Sequence, residues 1–77
     1  MDTFLIFLHQ DGNKTTICEV ETADSINDAS TIQQWKAFAR SPYIFEVAVP
    51  ESALESAKKM ARDNGIAVNT FWYTKGY

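Results

Sequence analysis

The stretch Pro42–Tyr73, PYIFEVAVPESALESAKKMARDNGIAVNTFWY, reads as strand, helix, strand. Tyr43–Val49 is rich in Tyr, Ile, Phe and Val and is interrupted only by Glu46 and Ala48, which is strand chemistry. Side chains alternate along a strand, so Tyr43, Phe45, Val47 and Val49 share one face. Pro42 has no amide to give to a ladder and suits the first strand position, and Pro50 ends the strand. Ser52 with Glu55 three residues later has the spacing of a capping box, which predicts a helix start. A start one or two residues earlier, with Pro50 in the first turn, is equally allowed. Leu54, Ala57 and Ala61, flanked by Ala53 and Met60, make one apolar stripe at helical spacing. Glu51 and Glu55 stand near the positive end of the helix dipole, and Lys58, Lys59 and Arg62 nearer the negative end. Asn64-Gly65 predicts the stop, with Gly65 in the left-handed cap and Ile66 folding back on the last turn. Ala67–Tyr73 resumes strand chemistry. A crossover of this length makes the two strands parallel, with right-handed passage between them.

Upstream, Phe4–Leu8 (FLIFL) is an apolar run of strand length, followed by the turn residues His9-Gln10-Asp11-Gly12-Asn13. Asp-Gly between strand-like runs predicts a hairpin. Thr15–Glu21 (TTICEVE) returns antiparallel, with Thr16, Cys18 and Val20 on one face and Thr15, Ile17, Glu19 and Glu21 on the other. A two-residue turn sets Leu5 and Phe7 on the face of Cys18 and Val20; one further loop residue sets Phe4, Ile6 and Leu8 there instead. Core volume behind the glutamate-free face favours the second register, with Cys18 in the core and Glu19 and Glu21 on the outer face. Thr22–Asn27 is a polar connection. Asp28–Arg40 is predicted helical, burying Ile32, Trp35 and Ala39 with Ala29 and Phe38 alongside, and Ser41-Pro42 ends it. Ile26 falls on the far side of that wheel, so the helix starts after it.

The expected architecture is α+β: a two-layer sandwich in the order β-β-α-β-α-β, a four-stranded mixed sheet with two helices on one face. The 77 residues form a single domain, 1–77, and a chain so short buries only roughly 60% of its unfolded surface. One cysteine excludes an intrachain disulfide framework and fits a reducing cytoplasm. No apolar run approaches membrane-spanning length, and the start lacks the features of a signal peptide. A net charge of −3 argues against non-specific binding to nucleic acid or an anionic membrane.

Aromatic residues depart most from the ordinary: Phe4, Phe7, Trp35, Phe38, Tyr43, Phe45, Phe71, Trp72, Tyr73 and Tyr77. Phe71-Trp72-Tyr73 cannot all point inward, and the first strand is bulky on both faces. Ile17 and Ile44 are further candidates for the open sheet face. Contiguous exposed apolar surface marks an interaction site, and Trp and Tyr are favoured anchors. The expected site is therefore a protein-binding surface of Phe7, Phe71, Trp72, Tyr73 and Tyr77, with Glu19 and Glu46 at its acidic rim. Its ordinary alternative is a sheet that curls round a larger core, or a tail folded over it.

No catalytic, metal or cofactor site is expected. His9 stands at a strand end, no base is spaced against Cys18, and Glu19 with Glu21 reads as a solvated pair. Gly12, Gly65 and Gly76 are isolated rather than grouped in a phosphate loop. Stacking of single-stranded nucleic acid on sheet aromatics is disfavoured by Glu19, Glu21 and Glu46. Lys58, Lys59 and Arg62 read as a solvated helix face supported by the Glu55–Lys59 spacing. The function expected is a small non-enzymatic protein-binding domain. A structural homodimer hiding its own sheet face and a single-strand nucleic-acid binder are the alternatives. In size and composition the chain resembles small phage- or plasmid-encoded proteins that bind and block a host machine, such as anti-CRISPR proteins. That resemblance implies an inhibitor of a host or defence complex and attaches to no particular residue.

Overall fold

The computed structural model describes residues 5–75, with side chains from residue 8 onward. Strand β1 (Leu5–Asp11) and β2 (Lys14–Val20) form the hairpin, followed by a 3₁₀ turn at Ala23–Ser25 and helix α1 (Ala29–Ala39). Strand β3 (Ile44–Pro50), a 3₁₀ turn at Glu51–Ala53, helix α2 (Leu54–Asp63) and strand β4 (Thr70–Thr74) complete the order. The sheet runs β1-β2-β3-β4, antiparallel between β1 and β2 and parallel across β2, β3 and β4. This is the mixed four-stranded α+β arrangement expected.

β3 organises the core. Phe45, Val47 and Val49 are buried on one face, and they form a single apolar cluster with Trp35 of α1 and with Ala57, Met60 and Ala61 of α2. Both helices therefore pack against the same side of β3. Fully burying each of the larger side chains is worth roughly 1.5–3 kcal/mol. Trp35 stands edge-on to Phe45 at 6.1 Å between centroids, and Phe38 lies 5.8 Å from Phe45. Ile32, Phe38 and Ala39 pack beside this cluster as expected, whereas Ala29 is exposed.

The hairpin takes the shorter turn. Asp11 pairs with Lys14 across Gly12-Asn13, and Gly12 has φ 63°, the left-handed first position that a Gly-X two-residue turn uses. Leu5 consequently pairs with Val20 and Phe7 with Cys18, which overturns the expected register with its longer loop. β2 is also turned over relative to expectation. Its parallel register sets Ile17 beside Phe45 and Glu19 beside Val47, so the odd-numbered residues face the helices. Ile17, Glu19 and Glu21 are buried, while Cys18 and Val20, assigned to the core from sequence, are only half-buried on the open face.

Helix ends follow local chemistry with one exception. Asp28 caps α1, its Oδ1 accepting from the Ser30 amide at 2.9 Å, and Arg40 closes the helix ahead of Ser41-Pro42. Gly65 (φ 65°) ends α2: the Ile66 amide donates to the Ala61 carbonyl at 2.8 Å and the Gly65 amide to that of Arg62 at 3.2 Å. The predicted capping box at Ser52 and Glu55 does not form. Pro50 (φ −61°) leads straight into the 3₁₀ turn, and the Leu54 amide donates to the Glu51 carbonyl instead. β4 begins at Thr70, later than the expected Ala67, and just ahead of it Asn69 bonds Phe45 through both backbone and side chain. Its amide donates to the Phe45 carbonyl at 2.8 Å, and its Oδ1 accepts from the Phe45 amide at 2.9 Å.

Candidate protein-binding surface

β4 lies at one edge of the sheet, and no strand among the described residues covers its outer side. Its register with β3 sorts the three aromatics. Phe71 opposes Val47 and packs on the core, 6.3 Å from Trp35 between ring centroids. Trp72 opposes Ala48 on the open face and is 55% exposed, and Tyr73 opposes Val49 and is 48% exposed. Two large aromatics thus stand in solvent on either side of one unpaired edge. The segment Thr70–Thr74 contains no charge and no proline, the usual guards of a free strand edge.

Glu46 orients Trp72. The indole Nε1 donates to Glu46 Oε1 at 2.9 Å, so a half-buried carboxylate on β3 holds the exposed ring in place. Glu46 also sits beside Cys18 and Thr70 in the sheet. Burial pushes the Cys18 thiol up, followed by the charges of Glu46 and Glu19, which keeps it protonated and poorly nucleophilic.

Of the expected site residues, Trp72, Tyr73 and Glu46 come together at β4. Phe71 contributes its backbone there while its ring is partly buried in the core. Glu19 is not at the rim: it is fully buried on the helix-facing side, in the opposite direction from Glu46. The polarity of alternate residues pointed outward, but the register with β3 decides, and it carries Ile17 inward with both glutamates. Ile17, a candidate for the open face, is buried for the same reason. The Phe7 side chain and Tyr77 lie outside the described residues.

The buried carboxylates were not foreseen. Glu21 is 2% exposed and accepts from Ser25 Oγ at 2.7 Å and from Trp35 Nε1 at 3.2 Å. It joins the end of β2 to the 3₁₀ turn and to α1, so a buried carboxylate is tolerated because it is hydrogen-bonded. Only the proximity of a Trp and a Ser to the same strand end in space marks it, and nothing in the order of residues shows that proximity. Thr31 is likewise fully buried, and its hydroxyl has no hydrogen-bond partner among the described residues.

Two other exposed apolar side chains lie elsewhere. Leu8 on β1 is 70% exposed at the opposite sheet edge, and Tyr43 is 46% exposed beside a cleft of about 470 Å³ with Lys14 and Pro42. Among the described residues no group of three or more His, Cys, Asp or Glu is placed to hold a metal ion, and no helix is long and apolar enough to cross a membrane. Compared with known protein families, with curated proteins and with solved structures, the chain returns no match.

Proposed function

We propose that this chain is a small non-enzymatic protein-binding domain that engages its partner through β4 and the adjoining open sheet face. One observation carries the proposal: Trp72 and Tyr73 are about half exposed on either side of an unguarded edge strand. An edge strand offers a row of amides and carbonyls to an incoming strand, and alternate side chains supply specificity. Exposed aromatics beside such an edge are the residue types that anchor interfaces. Glu46 fits this role by fixing the indole before binding, which lowers the entropy lost on association.

A domain with a binding edge and no reaction of its own acts on its partner by occupying it, which is how an inhibitor of a larger host or defence complex works. The raised Cys18 thiol favours that reading over a cysteine nucleophile, and a free thiol suits a reducing cytoplasm. A second copy of the chain is the alternative partner, favoured by the absence of charge or proline along Thr70–Thr74.

Placing a photo-crosslinking amino acid at Trp72, and separately at the exposed Glu55 of α2, tests the proposal in the cells that make the protein. A discrete adduct from position 72 and none from position 55 is expected. An adduct of doubled mass containing only this chain identifies the homodimer. Equal, diffuse labelling from both positions contradicts a binding edge at β4.

A further inference from the structure

Because β2, β3 and β4 are parallel, α1 and α2 both run back towards the end of the sheet where β3 and β4 begin. Acidic residues stand where the helices start: Asp24 and Asp28 ahead of α1, Glu51 and Glu55 at the start of α2. Cations stand in the later part of each helix, with Lys36 and the capping Arg40 at the end of α1, Lys58 and Lys59 midway along α2 and Arg62 in its last turn beside Asp63. The helix dipole accounts for this polarity. It does not account for the cleft between the two helix ends. That cleft has a volume of about 340 Å³ and is lined by Lys36, Ala39, Arg40, Asn64, Gly65, Ile66 and Ala67.

No acidic residue lines the cleft. Lys36 and Arg40 are one turn apart on the same helix face, where like charges repel. Neither has an ion-pair partner among the described residues, in contrast to Lys59, which is paired with Asp63 at 2.6 Å. The amide of Ala67 also takes part in no hydrogen bond among the described residues. Each helix end counts as roughly −0.5 charge, so two ends together offset only about half of the two cations. The surplus is close to one positive charge, in a protein whose net charge is −3. The volume lies near the lower end of the roughly 300–1,000 Å³ typical of small-molecule sites.

We infer that this cleft binds a small oxyanion carrying phosphate or carboxylate groups, held by Lys36, Arg40 and the Ala67 amide. The guanidinium of Arg40 offers the planar fork that such groups accept, and Lys36 adds a mobile point charge. Ala39 supplies an apolar patch for the carbon framework of the ligand. The site shares no residue with the β4 surface, so each can fail without the other.

Amide NMR spectra recorded during titration with pyrophosphate, and separately with citrate, at constant ionic strength test the inference. Saturable shifts confined to residues 36–40 and 64–67 are expected with at least one of the two. A response to pyrophosphate alone identifies a phosphate-bearing ligand, and a response to citrate alone a carboxylate-bearing one. The Lys36→Gln/Arg40→Gln double variant is expected to bind about tenfold more weakly, with Lys58→Gln unchanged. Should the double variant not fold, each single variant is expected to lose about threefold. Shifts that never saturate, that spread over the whole surface, or that persist at equal affinity in the charge-depleted variants overturn the site.

Discussion

The two faces of the sheet divide their polar and aromatic residues in an unusual way. The helix-covered face buries two glutamates, Glu19 and Glu21, while the open face displays Trp72 to solvent. Burying a carboxylate is costly and exposing an indole wastes apolar surface, so each placement needs a local reason. On the covered side the reason for Glu21 is structural: its two oxygens receive Ser25 and Trp35 and tie three elements together. On the open side nothing within the described chain covers Trp72, and its one polar contact, Glu46, holds the ring outward rather than burying it. Polarity alone does not tell which face of a strand is inside. The register with the neighbouring strand does, and at Glu21 hydrogen bonds from Ser25 and Trp35 make the result tolerable.

Removing the reason for burial should break this contrast most severely. Glu21→Ala leaves the buried Trp35 indole without an acceptor, while Ser25 Oγ keeps the Thr22 carbonyl at 3.0 Å, and about 2–3 kcal/mol of stability should be lost, read as a lower denaturant midpoint. Glu21→Gln, which keeps one acceptor oxygen, should cost less. A smaller loss should follow from Gly12→Ala, since the left-handed φ at the hairpin turn strains any residue with a Cβ by about 1–2 kcal/mol. Space is not the obstacle there, because a Cβ at Gly12 meets nothing within 4 Å. Sharpening the contrast in the other direction, Thr31→Val replaces a buried hydroxyl lacking a partner with an apolar group of similar shape. Thermal unfolding should then show a gain of about 1 kcal/mol.

Much of the fold was legible because local chemistry decided it. Asp28 and Gly65 set helix boundaries through their own hydrogen bonds, and the run of Phe45, Val47 and Val49 assigns its inner face by alternation. β2 was legible as a strand but not in its facing. Thr16, Cys18 and Val20 present an uncharged side and Ile17, Glu19 and Glu21 a charged one, yet the parallel register with β3 turns the charged side inward, and the partners that satisfy Glu21, Trp35 and Ser25, lie 14 and 4 residues away from it. The turn at Gly12-Asn13 had two admissible lengths, and residue order did not choose between them. At the candidate site, the surplus of aromatics in Phe71-Trp72-Tyr73 was plain from composition. Their division into one inward ring and two exposed ones required the register that Asn69 imposes on β3 and β4.

If β4 is the binding edge, Trp72 should matter to the partner and hardly at all to the fold. The most direct measurement is the affinity of wild type and Trp72→Ala for the protein crosslinked at position 72, or for self-association if that partner is a second copy, alongside the unfolding midpoint of both. The expected result is a loss of binding of about 2 kcal/mol or more, with stability within about 0.5 kcal/mol of wild type. Unchanged affinity would contradict a binding role for the β4 surface.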